Sequence, residues 1–497
     1  KIKSMNTHLT NSLLTSHKVL FLNTLAFTIC FAAWTMNGVL VTYLTDNGIY
    51  NWSVVETGWL LGIPILSGSI MRLPLGLLTD KYGGQKVFTT LLILCSIPYF
   101  LLYYVDSYWL YFSLSALFGM VGTSFAVGIA FTSVWYPQNW QGRALGIFGM
   151  GNAGAAITTL LAPSLLNYLS EDNPENGWRM LPVFYGITLL IIGFVFMFFV
   201  KNKKPETQVK TIGGLLKPLK NIRVWRFGLY YFLVFGLFVA FSQWLLPYYV
   251  NVYKTSLVLG GMLASAFSLP SGVIRALGGF LSDKFGARKV MYWVLYSSLI
   301  ISGLLMLPKM EILTPGKGIV AKKKGTITAI SNEKIALNNE DISIKTKPEI
   351  PEKVSVLPKS FSWQEVVVKQ NQTVKKKELL AKGNTLIKFE AHITVFSILV
   401  ILIGIMWGIG KAAVYKHIPE YFPNEVGVVG GMVGLIGGLG GFIGPILFGY
   451  LLDYSGLWTS SWIFVFIVSA IALFWMSNVI KKMTHNEAPN IKYRIDH

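Results

Sequence analysis

Charge is scarce in this sequence, and cysteine is scarcer. Only 13% of the 497 residues are Asp, Glu, Lys or Arg, 53% are hydrophobic, and the mean hydropathy is +0.53. That balance lies well outside the range of soluble globular domains. The two cysteines, Cys30 and Cys95, fall inside apolar runs, which makes them packing residues rather than a disulfide. No aspartate or glutamate stands in the middle of any apolar run. This absence weighs against a proton-driven exporter of drugs, which normally carries an intramembrane carboxylate. No small-residue cleavage site follows the runs at the right distance, so no signal peptide is expected. No enzymatic activity, cofactor or metal is expected.

What remains is apolar sequence in runs of about twenty residues, the length that crosses a bilayer as a helix. They lie near 18–45, 54–79, 86–105, 108–135, 143–169, 178–200, 225–250, 257–282, 288–308, 391–418, 426–452 and 458–480. The formal net charge of +20 follows their alternation. Lys81, Lys86, Arg143, Lys284, Arg288, Lys289, Lys481 and a basic central loop beginning at Lys201 fall on one side. Asp46, Asp106, Glu171, Asp172, Glu175 and Asp453 fall on the other. This positive-inside pattern places both termini in the cytoplasm of a multi-pass protein of the cell membrane. It assigns the charge to topology and not to nucleic acid.

The chain repeats itself. "RLPLGLLTDKYGGQKV" starts at Arg72 and "RALGGFLSDKFGARKV" at Arg275, 203 residues later, with eight identical residues in register. A second match pairs Pro137, Gly151 and Gly154 with Pro423, Gly437 and Gly440, now 286 apart. Two six-helix bundles are therefore expected, 1–200 and 225–480, joined by a cytoplasmic linker 201–224 and followed by a tail 481–497. The growth in offset marks an insertion of 83 residues, and the Lys-rich stretch 309–390 is where the apolar runs stop. It divides the second bundle into 225–308 and 391–480, in an outward loop between the ninth and tenth spans. Its alternating stretches "GTITAI", "KIAL", "ISIK", "EVVVKQ" and "TLIKF" suggest a small β-domain. "VVVKQNQTVKKKELLAKGNTLIKF" loosely resembles the barrel-sandwich fold of biotinyl and lipoyl carriers, but the methionine-flanked attachment lysine is missing. A structural cap, or a surface for a partner, is the expectation.

The duplicated G-x-x-x-D-K-x-G-x-x-K resembles the signature loop of the major facilitator superfamily. Gly76, Asp80 and Lys81, with Gly279, Asp283 and Lys284, are its gating residues here. "GRALGIFGMGNAGAAITTLLAPSL" and "GGMVGLIGGLGGFIGPILFGYLLD" resemble the paired nitrate signatures of the nitrate–nitrite porter family, and "GTSFAVGIAFTSVWYP" and "GIGKAAVYKHIPEYFP" agree with it. The resemblance implies an all-α membrane protein of twelve transmembrane helices. It also implies a substrate clamp formed by Arg72 and Arg275, and a monomer without a cofactor. A seventh-span tyrosine that some members use to hold the anion matches Phe241, and a further asparagine matches Phe148.

The residues lead the same way without the family. Arg72 and Arg275 each lie eight residues before the motif aspartate, about 12 Å along a helix. An arginine at that depth costs on the order of 3 kcal/mol or more, and such residues mark substrate paths. Lys411 is a third intramembrane cation. A cationic pathway without a carboxylate calls for an anion, and the guanidinium fork suits a planar one: nitrate, nitrite or a small carboxylate. The other polar groups are few, Asn37, Asn152, Ser242 and Gln243, among aromatics such as Phe125, Phe148, Trp244 and Trp407. A sugar would need more. Asn152, Phe125, Lys411, Ser242 and Gln243 thus join the arginines as candidate substrate contacts. Exchange of nitrate for nitrite and proton-linked uptake both remain open, as does an anion receptor built on the same fold.

Overall fold

The computed structural model describes residues 2–204, 217–307, 310–331, 333–350, 359–389, 392–422 and 426–486. Much of the expected linker, Pro423 and the greater part of the tail lie outside the described residues. Contacts divide the chain into a helical unit, Lys1–Met306 with Leu399–His497, and an inserted unit, Leu307–Ile398.

Among the described residues, ten helices are long and apolar enough to cross a membrane, and an eleventh is the pair Leu257–Val273 and Arg275–Phe285, bent by 44°. Ala287–Leu305 stands in the ninth place as a helix of 19 residues, its first turn made less apolar by Arg288 and Lys289. The expected spans are therefore all helical. Several break halfway. The second divides into Val54–Ile70 and Arg72–Tyr82, and the eighth divides one residue before Arg275. The fourth passes through a 3-10 turn at Gly119–Thr123 and the fifth through another at Met150–Ala153. The seventh, Ile222–Tyr253, carries a π-helical turn at Phe232–Leu237. Such turns release backbone groups from the helical ladder and concentrate at functional positions.

The two motif loops are built alike. Gly83 and Gly286 end their helices at φ 90° and 85°, a left-handed conformation that glycine adopts without strain. The Asn202 side chain closes over the first of them and donates from Nδ2 to the Tyr82 carbonyl at 2.9 Å. The Asp283 carboxylate pairs with Lys416 Nζ of the tenth span at 2.6 Å.

Among the described residues, the closest approaches of the two bundles gather at one end. Gly58 and Gly62 of the second span lie against Pro445 and Phe442 of the eleventh, Gly449 against Val54, and Gly261 of the eighth against Thr159 of the fifth. A Cβ at any of these would strike backbone, so glycine is what permits the approach. Toward the motif loops the spacing changes. Gly76, Gly146, Gly279 and Gly431 have no atom of another element within 4 Å of a Cβ position. The helical unit is closed at one end and open at the end that bears the motif loops.

The inserted unit is antiparallel β-structure: β1 (Met310–Val320), β2 (Gly325–Ile330), β3 (Lys334–Leu337), β4 (Glu340–Ser343), β5 (Lys359–Val366), β6 (Thr373–Val374) and β7 (Leu379–Phe389). One sheet runs β1-β7-β5 and the other β4-β3-β2-β6. Ile327, Ile335, Leu337, Val374 and Leu380 form its core. The β3–β4 hairpin turns on Asn338 and Asn339, both at positive φ, the pair of left-handed residues that a two-residue hairpin needs. β5 begins earlier than the "EVVVKQ" stretch suggested, because "KSFSWQEV" pairs with β7.

These spacings separate two motif glycines that look equivalent in sequence. Gly83→Ala is expected to lower stability in detergent by about 1 kcal/mol or more, through its φ and its contact with Asn202. Gly76→Ala, which meets open space inside a helix, is expected to leave thermal unfolding unchanged or slightly raised. Melting curves of the two variants check this, and equal losses would contradict it.

Candidate functional site

The helix breaks converge on two arginines. Arg72 is buried, and its Nη1 donates to the Gly434 carbonyl of the eleventh span at 2.8 Å. Arg275 is half-buried at the equivalent break of the eighth span. Their guanidinium carbons lie 5.9 and 5.6 Å from the centroid of one ring, that of Phe125. The fourth span thus places a single aromatic face within cation–π range of both charges. Phe235, in the π-helical turn of the seventh span, stacks on Phe125 at 6.2 Å and lies 5.6 Å from Arg72. Tyr415 of the tenth span lies 5.7 Å from Arg275 and donates to the Gly430 carbonyl.

These partners do not satisfy the cations. Arg72 Nε and Nη2 and Arg275 Nη1 are buried without a hydrogen-bond partner. An unfilled buried donor costs roughly 1–3 kcal/mol, more when charged, and each cation–π contact returns about 0.5–2 kcal/mol. No acidic side chain pairs with either arginine among the described ion pairs. The unfilled donors face a need that an anion would meet.

Asn152 is the second unfilled group. It lies in the 3-10 turn of the fifth span, fully buried, with both amide atoms unpartnered. Its neighbours on that helix reach the eighth span: a Cβ on Gly149 would lie 3.5 Å from Arg275 Nη1, and Ala153 packs at Gly272. The repeat partner of Asn152, Gly438, leaves the space that the Ser69 hydroxyl fills, one helical turn before Arg72. The same register thus carries an amide one turn from Gly149 in the first half and, at Gly438 in the second, the Ser69 hydroxyl near Arg72.

The remaining candidates lie elsewhere. Lys411 is fully buried; Nζ donates to Ser271 Oγ at 3.0 Å and stands 3.0 Å from the Phe238 ring centroid. Ser271 is one turn before Arg275, so this third cation is near the pair without touching it. Ser242 is committed to the Phe238 carbonyl and to Ser268. Gln243 packs against Gly38 of the first span. Phe241 stacks on Trp462 at 4.2 Å and belongs to an aromatic cluster with Trp407 and Phe448. The seventh-span tyrosine beside the arginines is Tyr231, one turn before Phe235, on which it stacks at 4.9 Å; it also meets Tyr415 edge-on at 5.0 Å. Tyr231, Phe235, Tyr415 and Ser69 escape a reading by sequence spacing. Only Ser69, three residues before Arg72 on one helix face, left a signal. Among the described residues no cluster of His, Cys, Asp or Glu could hold a metal ion.

The sequence pattern described as Major Facilitator Superfamily matches residues 23–315 and 379–492. The chain is 38% identical over 483 residues to the probable nitrate/nitrite antiporter NarK1 of Thermus thermophilus, covering 96% of this chain and 94% of that one. It is 25% identical over 463 residues to the probable nitrate transporter NarT of Staphylococcus haemolyticus, covering 93% and 97%. It is 28% identical over 290 residues to the nitrite extrusion protein of Bacillus subtilis, covering 58% and 71%. Among solved structures, an inward-facing, occupied bacterial homolog of the human lysosomal transporter Spinster shares the fold at a TM-score of 0.62 with 15% identity, covering 94% and 97%. With the duplicated motif loops, the paired glycine helices and the two mid-span arginines, these likenesses settle the family: the chain belongs to the major facilitator superfamily and, within it, to the nitrate–nitrite porters.

Proposed function

We propose that the protein carries nitrate and nitrite across the cell membrane by alternating access, with Arg72 and Arg275 closing on one anion between the two bundles. The observation that carries this reading is the approach of both guanidinium groups to the Phe125 ring, with donors on each left unfilled. A planar oxyanion accepts two parallel hydrogen bonds from each fork. The relatives named for nitrate and nitrite support the substrate.

Exchange is the favoured mode. An empty clamp holds two arginines in low dielectric with no counter-charge, so a return passage without an anion is the costly step. A second anion travelling back removes that cost. Proton-linked uptake has one observation in its favour, the buried Lys411 with only Ser271 and a ring for company. With both termini cytoplasmic, the open end faces the cytoplasm, the insert lies outside, and the protein acts as a monomer with no catalytic step.

Two measurements follow. In proteoliposomes without a pH gradient, nitrate entry is expected to saturate and to accelerate when nitrite is trapped inside. Entry driven by a pH gradient and indifferent to internal nitrite would shift the mode to Lys411 and protons, and binding without any flux would make the protein a receptor. Asn152→Leu removes two unfilled polar atoms, each worth roughly 1–3 kcal/mol when buried, so the apo protein is expected to melt no lower than the parent. Its apparent affinity for nitrate is expected to fall severalfold. Unchanged affinity would remove Asn152 from the site.

A further inference from the structure

Two runs of three lysines, Lys322–Lys324 and Lys375–Lys377, are separated by half a hundred residues yet fold into one place. The first forms the turn between β1 and β2 and the second the turn between β6 and β7. Ala321 N donates to the Glu378 carbonyl and Lys377 N to the Ala321 carbonyl, both at 2.8 Å, so the turns run side by side. All six lysines are exposed. Glu340 neutralises Lys323 at 2.6 Å, and the Glu378 carboxylate accepts from the backbone of Lys375. The patch stays strongly cationic.

The ribbon that carries these turns is also apolar at its surface. Val320 and Leu379 form the last pair of the β1–β7 ladder and are 48% and 44% exposed. Val367, hydrogen-bonded to Leu380, is 50% exposed, and nearer the other end Leu313 is 63% exposed. Exposed aliphatic side chains therefore extend along the ribbon and are not confined to its tip. The ladder slips between Gly316 and Val320, a bulge that bends a strand. In sequence, four residues separate Leu305 from Met310 and three separate Phe389 from Ile393, so the unit is tied closely to the bilayer at both ends.

We propose that the paired lysine turns and the aliphatic edge of the β1–β7 ribbon dock on the anionic headgroups of the bilayer that the chain itself spans. Clusters of four to eight cations beside apolar side chains are the chemistry that an anionic leaflet attracts, about one order of magnitude of binding for every one or two lysines. Lysine, a flexible point charge, suits scattered phosphates better than one fixed partner. The short connections replace a weak bimolecular encounter by a high effective concentration. An acidic protein would be expected to match an apolar centre with a cationic rim, whereas here the apolar residues run the length of the ribbon.

The test uses the full chain in nanodiscs of phosphatidylcholine, alone or with phosphatidylglycerol, and reads amide hydrogen exchange over 320–326 and 373–380. Phosphatidylglycerol is expected to slow exchange there about tenfold, and about 1 M salt, with a screening length of roughly 3 Å, to abolish the difference. The variant with Lys322, Lys324, Lys375 and Lys376 all replaced by Gln is expected to lose the protection. Unchanged exchange in the Ile327 and Ile335 core would show that it has folded. Equal exchange of the parent in both discs would overturn the proposal. So would protection that persists in high salt, or protection conferred by polyglutamate in solution but not by phosphatidylglycerol.

Discussion

Two permanent positive charges held in low dielectric without a carboxylate to answer them are the constraint on which the rest of this molecule depends. Arg72 has one carbonyl, that of Gly434, and two aromatic faces; Arg275 has Phe125 and Tyr415. Each of these partners polarises toward a cation without cancelling it. Carboxylates in their place would have formed buried ion pairs and removed any need for an anion. The helix breaks fall one residue before each arginine, at equivalent positions of the two bundles.

The glycine-rich spans give that constraint a mechanism. At the closed end, glycines on the second, eighth and eleventh spans let backbones touch; at the motif-loop end, glycines on the second, fifth, eighth and eleventh face open space. Rocking of one bundle on the other can close the second set while it opens the first, around a site that both halves share. The Asp283–Lys416 pair joins the eighth and tenth spans of one bundle and can move with it as a unit. Alternating access needs such rigid halves and a compact, adjustable seam.

Much of this was legible in the residues. The repeat of Arg72 and Arg275 at fixed distance from Asp80 and Asp283 located the charges, and the growth of the repeat offset located the β-unit before any coordinates did. The spans were legible because hydrocarbon demands an apolar run of each. The helix breaks were legible only in part: Pro74, three residues after Met71, and Pro270, four before Ile274, each remove a helical donor, but neither fixes the break at the arginine itself. The aromatic wall was not legible. Which of 32 phenylalanines and 23 tyrosines meets a guanidinium depends on helix rotation, and a π-helical turn shifts the seventh span by a fraction that spacing cannot reveal. Tyr231 meets the site, while Phe241, Ser242 and Gln243, farther along the same span, face other helices.

The central claim is that both arginines hold the same anion, and a double-mutant cycle on binding tests it most directly. Nitrate affinity would be measured for the parent, Arg72→Lys, Arg275→Lys and the double variant, each of which keeps the charge and loses the planar fork. A shared anion predicts coupling: either single change costs about ten- to a hundredfold, and the second adds little to the first. Losses that simply add in free energy, or a single variant that binds nitrate like the parent, would mean that the two guanidinium groups act apart and that the clamp does not exist.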